Sequence, residues 1–102
     1  WWNLEMKIRQ HIEEPMSLAV LEAWAGCSIA TIARSSQNAV GQSPMKRIKQ
    51  IRLSLARGFV QRSALTFSEI ALQVGYLRLH EFSRDYKKMY GLPPSEERKL
   101  VR

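Results

Sequence analysis

The amino-acid sequence predicts an all-α protein built from two helix-turn-helix units joined by a long linker helix. Three observations predict this. Apolar residues recur at helical spacing along the chain, and no segment shows the alternation that a strand requires. Glycine, proline and hydroxyl side chains fall where helices start and stop. The pattern also repeats: residues 21–26 have the spacing of residues 70–75, and GQSP (41–44) lies fifty residues before GLPP (91–94). Each copy reads as a short helix, a glycine turn, a second helix, a glycine stop and a proline. Two helices joined by a tight glycine-containing turn form a helix-turn-helix.

Taken in order, Trp1, Leu4 and Ile8 mark a first helix that stops before Pro15. Ser17 is an N-cap for a short helix over 18–25, which Gly26 ends. Ser28 opens a second helix running to Val40, closed by Gly41. Pro44 opens the linker helix over 45–61, with Ile48, Ile51, Leu55, Phe59 and Val60 on or near one face. Thr66 and Glu69 form a capping box for a helix ending near Gly75. A helix over 79–90 stops at Gly91, and Pro94 begins a short basic tail helix. The predicted division is a single domain over 1–102, with a first unit at 1–44, a linker at 45–62 and a second unit at 63–102. A linker of that length spans roughly 25 Å. That would set the second helices of the two units about one DNA turn, ~34 Å, apart.

The 102 residues are 45% hydrophobic, enough for a core, and carry a net charge of +7. The excess is uneven: +2 in residues 1–50 and +5 in residues 51–102. Such a balance fits a polyanionic partner or simple solubility. The lone cysteine, Cys27, forms no internal disulfide and belongs to no C-x-x-C pattern. It is expected to be reduced and buried, as in a cytosolic protein. No apolar run spans a membrane and no secretory signal is present. A chain beginning Trp1-Trp2 reads as a piece of a longer protein. Few carboxylates, two histidines and one thiol form no nucleophile–base set, so neither enzyme, metal nor cofactor is expected.

The helix over 79–90 sorts its side chains by face. Phe82, Tyr86, Met89 and Tyr90 fall on one side, with Leu79 at its edge, and the aromatic ones are expected to be core. His80, Ser83, Arg84 and Lys87 fall opposite. Arg84 suits a bidentate contact to guanine, with His80 and Ser83 as shorter readers. Lys87 and Lys88 suit phosphates. A solvated basic face is the competing reading of this helix taken alone. The earlier copy favours DNA: Ala30, Ala33, Arg34 and Gln37 occupy the same wheel positions, with Arg34 matching Arg84. Common ancestry could preserve that match without function.

At these residues the chain resembles the DNA-binding domain of the AraC/XylS family of bacterial transcription regulators. The second half carries the likeness in EIALQVGY (69–76) and EFSRDYKKMYGLPPSEERK (81–99), with tyrosine in place of the family's phenylalanine. IRLSLAR (51–57) and IRQHIEEPMSL (8–18) extend it over almost the whole chain. The resemblance implies about seven helices, two recognition helices on adjacent major-groove faces, and control of transcription of double-stranded DNA, often through RNA polymerase. It also implies a bacterial cytoplasmic protein, nucleoid-associated when bound, whose effector and dimerisation domain lies outside this chain.

The departures concentrate in the first unit. Glu22 stands where the second unit has Ala71, and Ser36 stands at the phase of Tyr86. Ser35 replaces a further apolar residue, and Arg47 replaces an aromatic one. A serine in place of a packed aromatic costs about 3 kcal/mol unless neighbours fill the space. Glu22 has two candidate partners, Arg34 and Arg47. In the second unit Arg78 takes the N-cap position that Ser28 holds in the first, which frees it for a phosphate. Ser28 is likewise placed among the phosphate contacts. Ala30 and Ala33 offer only methyl contacts, so the second unit is expected to supply most discrimination. The alternative function is a degenerate helix-turn-helix module acting mainly through protein–protein contacts with RNA polymerase or a partner regulator.

Overall fold

The computed structural model describes residues 1–101; Arg102, at the end of the expected second unit, lies outside them. Seven helices make up the regular structure of the described residues: α1 (Trp2–Gln10), α2 (Leu18–Ala25), α3 (Ile29–Val40), α4 (Pro44–Arg62), α5 (Phe67–Gln73), α6 (Leu79–Tyr90) and α7 (Pro94–Val101). The chain divides into two compact units, Trp1–Ile51 and Arg52–Arg102, so α4 contributes its beginning to one and its remainder to the other.

Local chemistry sets the helix ends. Ser17 Oγ accepts the Val20 amide and Ser28 Oγ accepts the Thr31 amide. Thr66 and Glu69 make both bonds of the capping box. Gly26 ends α2 at φ 69° and Gly91 ends α6 at φ 83°, left-handed conformations that any side chain would strain. Arg78 starts α6 without a side-chain cap.

The core of the first unit is Leu4, Ile8, Ile12, Leu21, Ile32, Ile48 and Ile51, with Trp1, Met16, Trp24 and Ile29 packed against it. The core of the second is Leu53, Ala56, Val60, Ile70, Ala71, Val74, Phe82 and Tyr86, flanked by Phe59, Leu65, Phe67, Tyr76 and Tyr90. Helix α4 therefore serves two cores with two rows of residues, not one continuous stripe. This corrects the expectation for Leu55, which is 40% exposed, while Leu53 and Ala56 are buried. Leu55→Ala should cost about 1 kcal/mol or less. In a thermal melt it should stay within a few degrees of the parent, whereas Leu53→Ala should fall well below it. A large loss from Leu55→Ala would contradict the two-row packing.

Each unit also holds an ion pair on a buried carboxylate, and one repeat position carries the cation in the first unit and the carboxylate in the second. In the first, Arg47 donates from Nε to Glu5 Oε1 at 2.6 Å and from Nη2 to Glu5 Oε2 at 3.2 Å. In the second, Arg57 donates from Nε to Glu97 at 3.1 Å, and Glu97 also accepts the Tyr86 hydroxyl. Arg47 and Glu97 are fifty residues apart and thus repeat-matched. Both carboxylates are 5% exposed, so each depends on its cation for solvation. Arg98 of α7 donates to the carbonyls of Val60 and Leu65 and stacks on Phe67, 4.5 Å from the ring centre. Part of the basic tail helix is thus structural.

Two further expectations are corrected. Cys27 is exposed, because it lies in the turn between Gly26 and Ser28 instead of on a helix face. Glu22 meets neither Arg34 nor Arg47; its carboxylate accepts the Ile29 amide at 3.1 Å, at the start of α3. Ser36 is fully buried, and its hydroxyl donates to the Gln42 carbonyl at 2.6 Å, which satisfies the polar group that replaces the aromatic.

Candidate nucleic-acid interface

Helix α6 is fixed from behind by its aromatic residues. Phe82 and Tyr86 are fully buried and meet edge to face at 5.7 Å; Tyr76 meets Phe82 at 5.5 Å and Tyr90 meets Tyr86 at 4.9 Å. Met89 and Leu79 do not join this core. They are 40% and 42% exposed. On the outward side His80, Arg84, Lys87 and Lys88 are exposed, as is Arg78 just before the helix, and Ser83 is half-buried.

Arg84 has a support that periodicity does not reveal. Its Nε lies 3.5 Å from Asp85 Oδ1, and Asp85 is held in turn by the Tyr76 hydroxyl, which donates at 2.9 Å. Burial, reinforced by that hydrogen bond, pushes the Tyr76 hydroxyl well above its ordinary pKa, so it stays a donor. The Arg84 side chain remains 63% exposed. The guanidinium is thus tethered near its stem while its outer nitrogens face solvent, the arrangement a bidentate contact needs. The only sequence signal for this support is the phenolic hydroxyl of Tyr76, where the family pattern has phenylalanine.

In the first unit, Ala30, Arg34 and Gln37 are exposed on α3 and Ala33 is half-buried. Ser28 is exposed, but its Oγ is engaged as the α3 cap and lies 3.2 Å from Thr31 Oγ1. The Glu22 carboxylate on the Ile29 amide places negative charge where a helix N-terminus would otherwise attract phosphate. Helix α6 begins instead with the exposed Arg78 and no side-chain cap. The two outward stripes therefore differ in chemistry as well as in polar content. Glu81, in the first turn of α6, is the polar residue that the sequence reading of the stripe omits.

Among the described residues no group of three or more His, Cys, Asp and Glu could hold a metal ion, and no helix is long and apolar enough to cross a membrane.

These features define a class, a helix-turn-helix protein whose α6 turns basic residues outward. The family model for a helix-turn-helix domain matches residues 21–100. The chain is 32% identical to a solved probable AraC family transcriptional regulator from Rhodopseudomonas palustris, covering 97% of this chain and 94% of that one at a TM-score of 0.81. It superposes on the DNA-binding domain of AdpA, solved in complex with a target DNA, at a TM-score of 0.94, covering 99% of this chain and 91% of that one. Their identity is 20%, which supports the fold alone. It is 30% identical over 97 residues to the probable thc operon regulatory protein of Rhodococcus erythropolis, covering 92% of this chain but only 29% of that protein. The chain belongs to the helix-turn-helix domain family and, within it, is a DNA-binding domain of the AraC type. Family and fold are those of DNA-binding regulators, not enzymes.

Proposed function

We propose that the chain binds double-stranded DNA sequence-specifically, with α6 and α3 entering adjacent major-groove segments. In this reading Arg84, His80 and Ser83 read bases from α6, and Arg34, Ala30, Ala33 and Gln37 do so from α3. Lys87, Lys88 and Arg78 hold phosphates, and Ser28, whose hydroxyl is engaged as a cap beside the Glu22 carboxylate, is the weakest candidate of that set. The observation that carries the reading is Arg84, exposed on α6 and tethered through Asp85 to Tyr76. The negative start of α3 supports the reading that the second unit supplies most discrimination. The regulator acts in the bacterial cytoplasm as an activator that contacts RNA polymerase, with effector sensing and dimerisation outside this chain.

Selection of bound fragments from a random DNA pool tests this and should return one preferred site. If about five phosphates are neutralised, log K for that site should fall against log salt with a slope of about −4 to −5. A slope near zero would overturn the reading. The methyl groups of Ala30 and Ala33 in the α3 stripe and the Glu22 carboxylate at the start of α3 favour a second reading, a module that works mainly through protein contacts. A gel shift with random genomic fragments separates the two, since that module would retain little DNA at any sequence.

A further inference from the structure

We propose that Glu81 is a specificity-determining residue that accepts the exocyclic amino group of a cytosine and lowers affinity for all other DNA. The inference rests on the DNA-binding reading above and deepens it. Glu81 lies in the first turn of α6, next to His80 and three residues before Arg84. The N-terminal residues of a recognition helix are those that contact base edges. At helical spacing Glu81 falls on the outward side, beside Arg84 and Lys88, and it is partly exposed.

The other carboxylates of α5 and α6 have structural work. Glu69 completes the capping box, and Asp85 accepts from Tyr76 and pairs with Arg84. The Glu81 carboxylate makes no hydrogen bond or ion pair with any described residue, although Arg78, His80, Arg84 and Lys88 belong to the same segment. An unpaired anion on the outward face of a recognition helix is repelled by every phosphate it approaches. It is repelled also by the acceptor edges of guanine and thymine. In the major groove the amino donors are cytosine N4 and adenine N6, and adenine's is flanked by the N7 acceptor. Adenine's amino group lies between two acceptors, its own N7 and thymine O4, whereas cytosine's has guanine O6 on one side only, so cytosine is the edge a carboxylate meets with least repulsion. Such a residue selects as much by rejecting wrong bases as by binding the right one.

The competing role for an acidic side chain in a first helical turn is to complement the helix dipole. That role predicts a small loss of stability and no change in base preference. Parent and Glu81→Gln should be compared on the selected site, on versions with each C·G pair changed, and on versions with each cytosine replaced by 2-pyrimidinone, which lacks only the amino group. For the parent, one cytosine should show a penalty of about tenfold or more on either change. In Glu81→Gln that penalty should shrink to about twofold, and random-sequence DNA should bind several-fold more tightly than to the parent. Affinity and specificity would thus move in opposite directions, which loss of a helix contact would not produce. A variant that keeps the cytosine preference, or binds random DNA no more tightly, overturns the inference. If the parent selects a site that Arg84→Ala abolishes but Glu81→Gln leaves intact, this inference alone fails. If the parent selects no site, the DNA-binding reading fails with it.

Discussion

Arg84→Ala should abolish specific binding, or flatten the preference at one or two base positions, by a factor of about ten to one hundred. A bidentate arginine–guanine contact is worth about 1–3 kcal/mol of discrimination when the side chain is held in register. Two features hold Arg84: the aromatic packing of Phe82, Tyr86 and Tyr90 behind α6, and the ion pair to Asp85, itself anchored by Tyr76. Because the side chain is 63% exposed, its removal should leave the melting temperature nearly unchanged, so lost binding would not reflect unfolding. Arg34→Ala should lower affinity with a smaller loss of discrimination, since its stripe neighbours Ala30 and Ala33 neither donate nor accept. Measuring both variants on the selected site and on its single-base substitutions decides the matter. If Arg34→Ala loses more discrimination, the first unit is the principal reader and its departures are specialisations.

Arg47→Met should destabilise the first unit by about 3 kcal/mol, because it strips a buried carboxylate of its main cation. Glu5 is 5% exposed, and Arg47 contacts both of its oxygens. Arg9 and the Trp1 indole also donate to it but remain secondary. The hydrogen bond from Arg47, opposed by burial, holds the Glu5 carboxyl below its ordinary value of 4.5. A depressed carboxyl contributes stability that is fully present above its unfolded pKa and is lost as pH falls through its folded pKa. The gap in stability between parent and Arg47→Met should therefore be full near neutral pH and narrow as pH drops below about 4.5. Denaturant titrations of both proteins at neutral and acid pH would measure it. A gap that is constant with pH would mean that Arg47 acts through packing alone.

The boundaries of the helices were legible because their determinants are local. A serine or threonine accepts an amide three residues on, a glycine takes a left-handed conformation, and each decision is complete within a turn. Ser17, Ser28 and Thr66 with Gly26, Gly41 and Gly91 thus mark six helix ends, one of them with a capping box, without any knowledge of the fold. The outward stripe of α6 was legible for a related reason. The residues opposite a row of aromatics must face away from the core, whatever the core contains.

Burial was not fully legible, and Leu55 and Cys27 are the instances. A helical wheel assumes one partner along the whole length, whereas α4 turns one row of residues to the first core and another to the second. Nor could the sequence match charges. Glu22 takes the amide of Ile29 in preference to either cation, and Arg47 finds Glu5, forty-two residues away. Likewise the support of Arg84 runs from Asp85 to a hydroxyl nine residues back. By itself the sequence determined the seven helices, their repeat and the basic residues that α6 turns outward, since these follow from backbone capping and side-chain period. Only the tertiary structure decided which carboxylates are buried against a cation or engaged at a helix start and which, like Glu81, are left unpaired. That outcome depends on distances between side chains brought together from different helices, and no spacing along the chain encodes it.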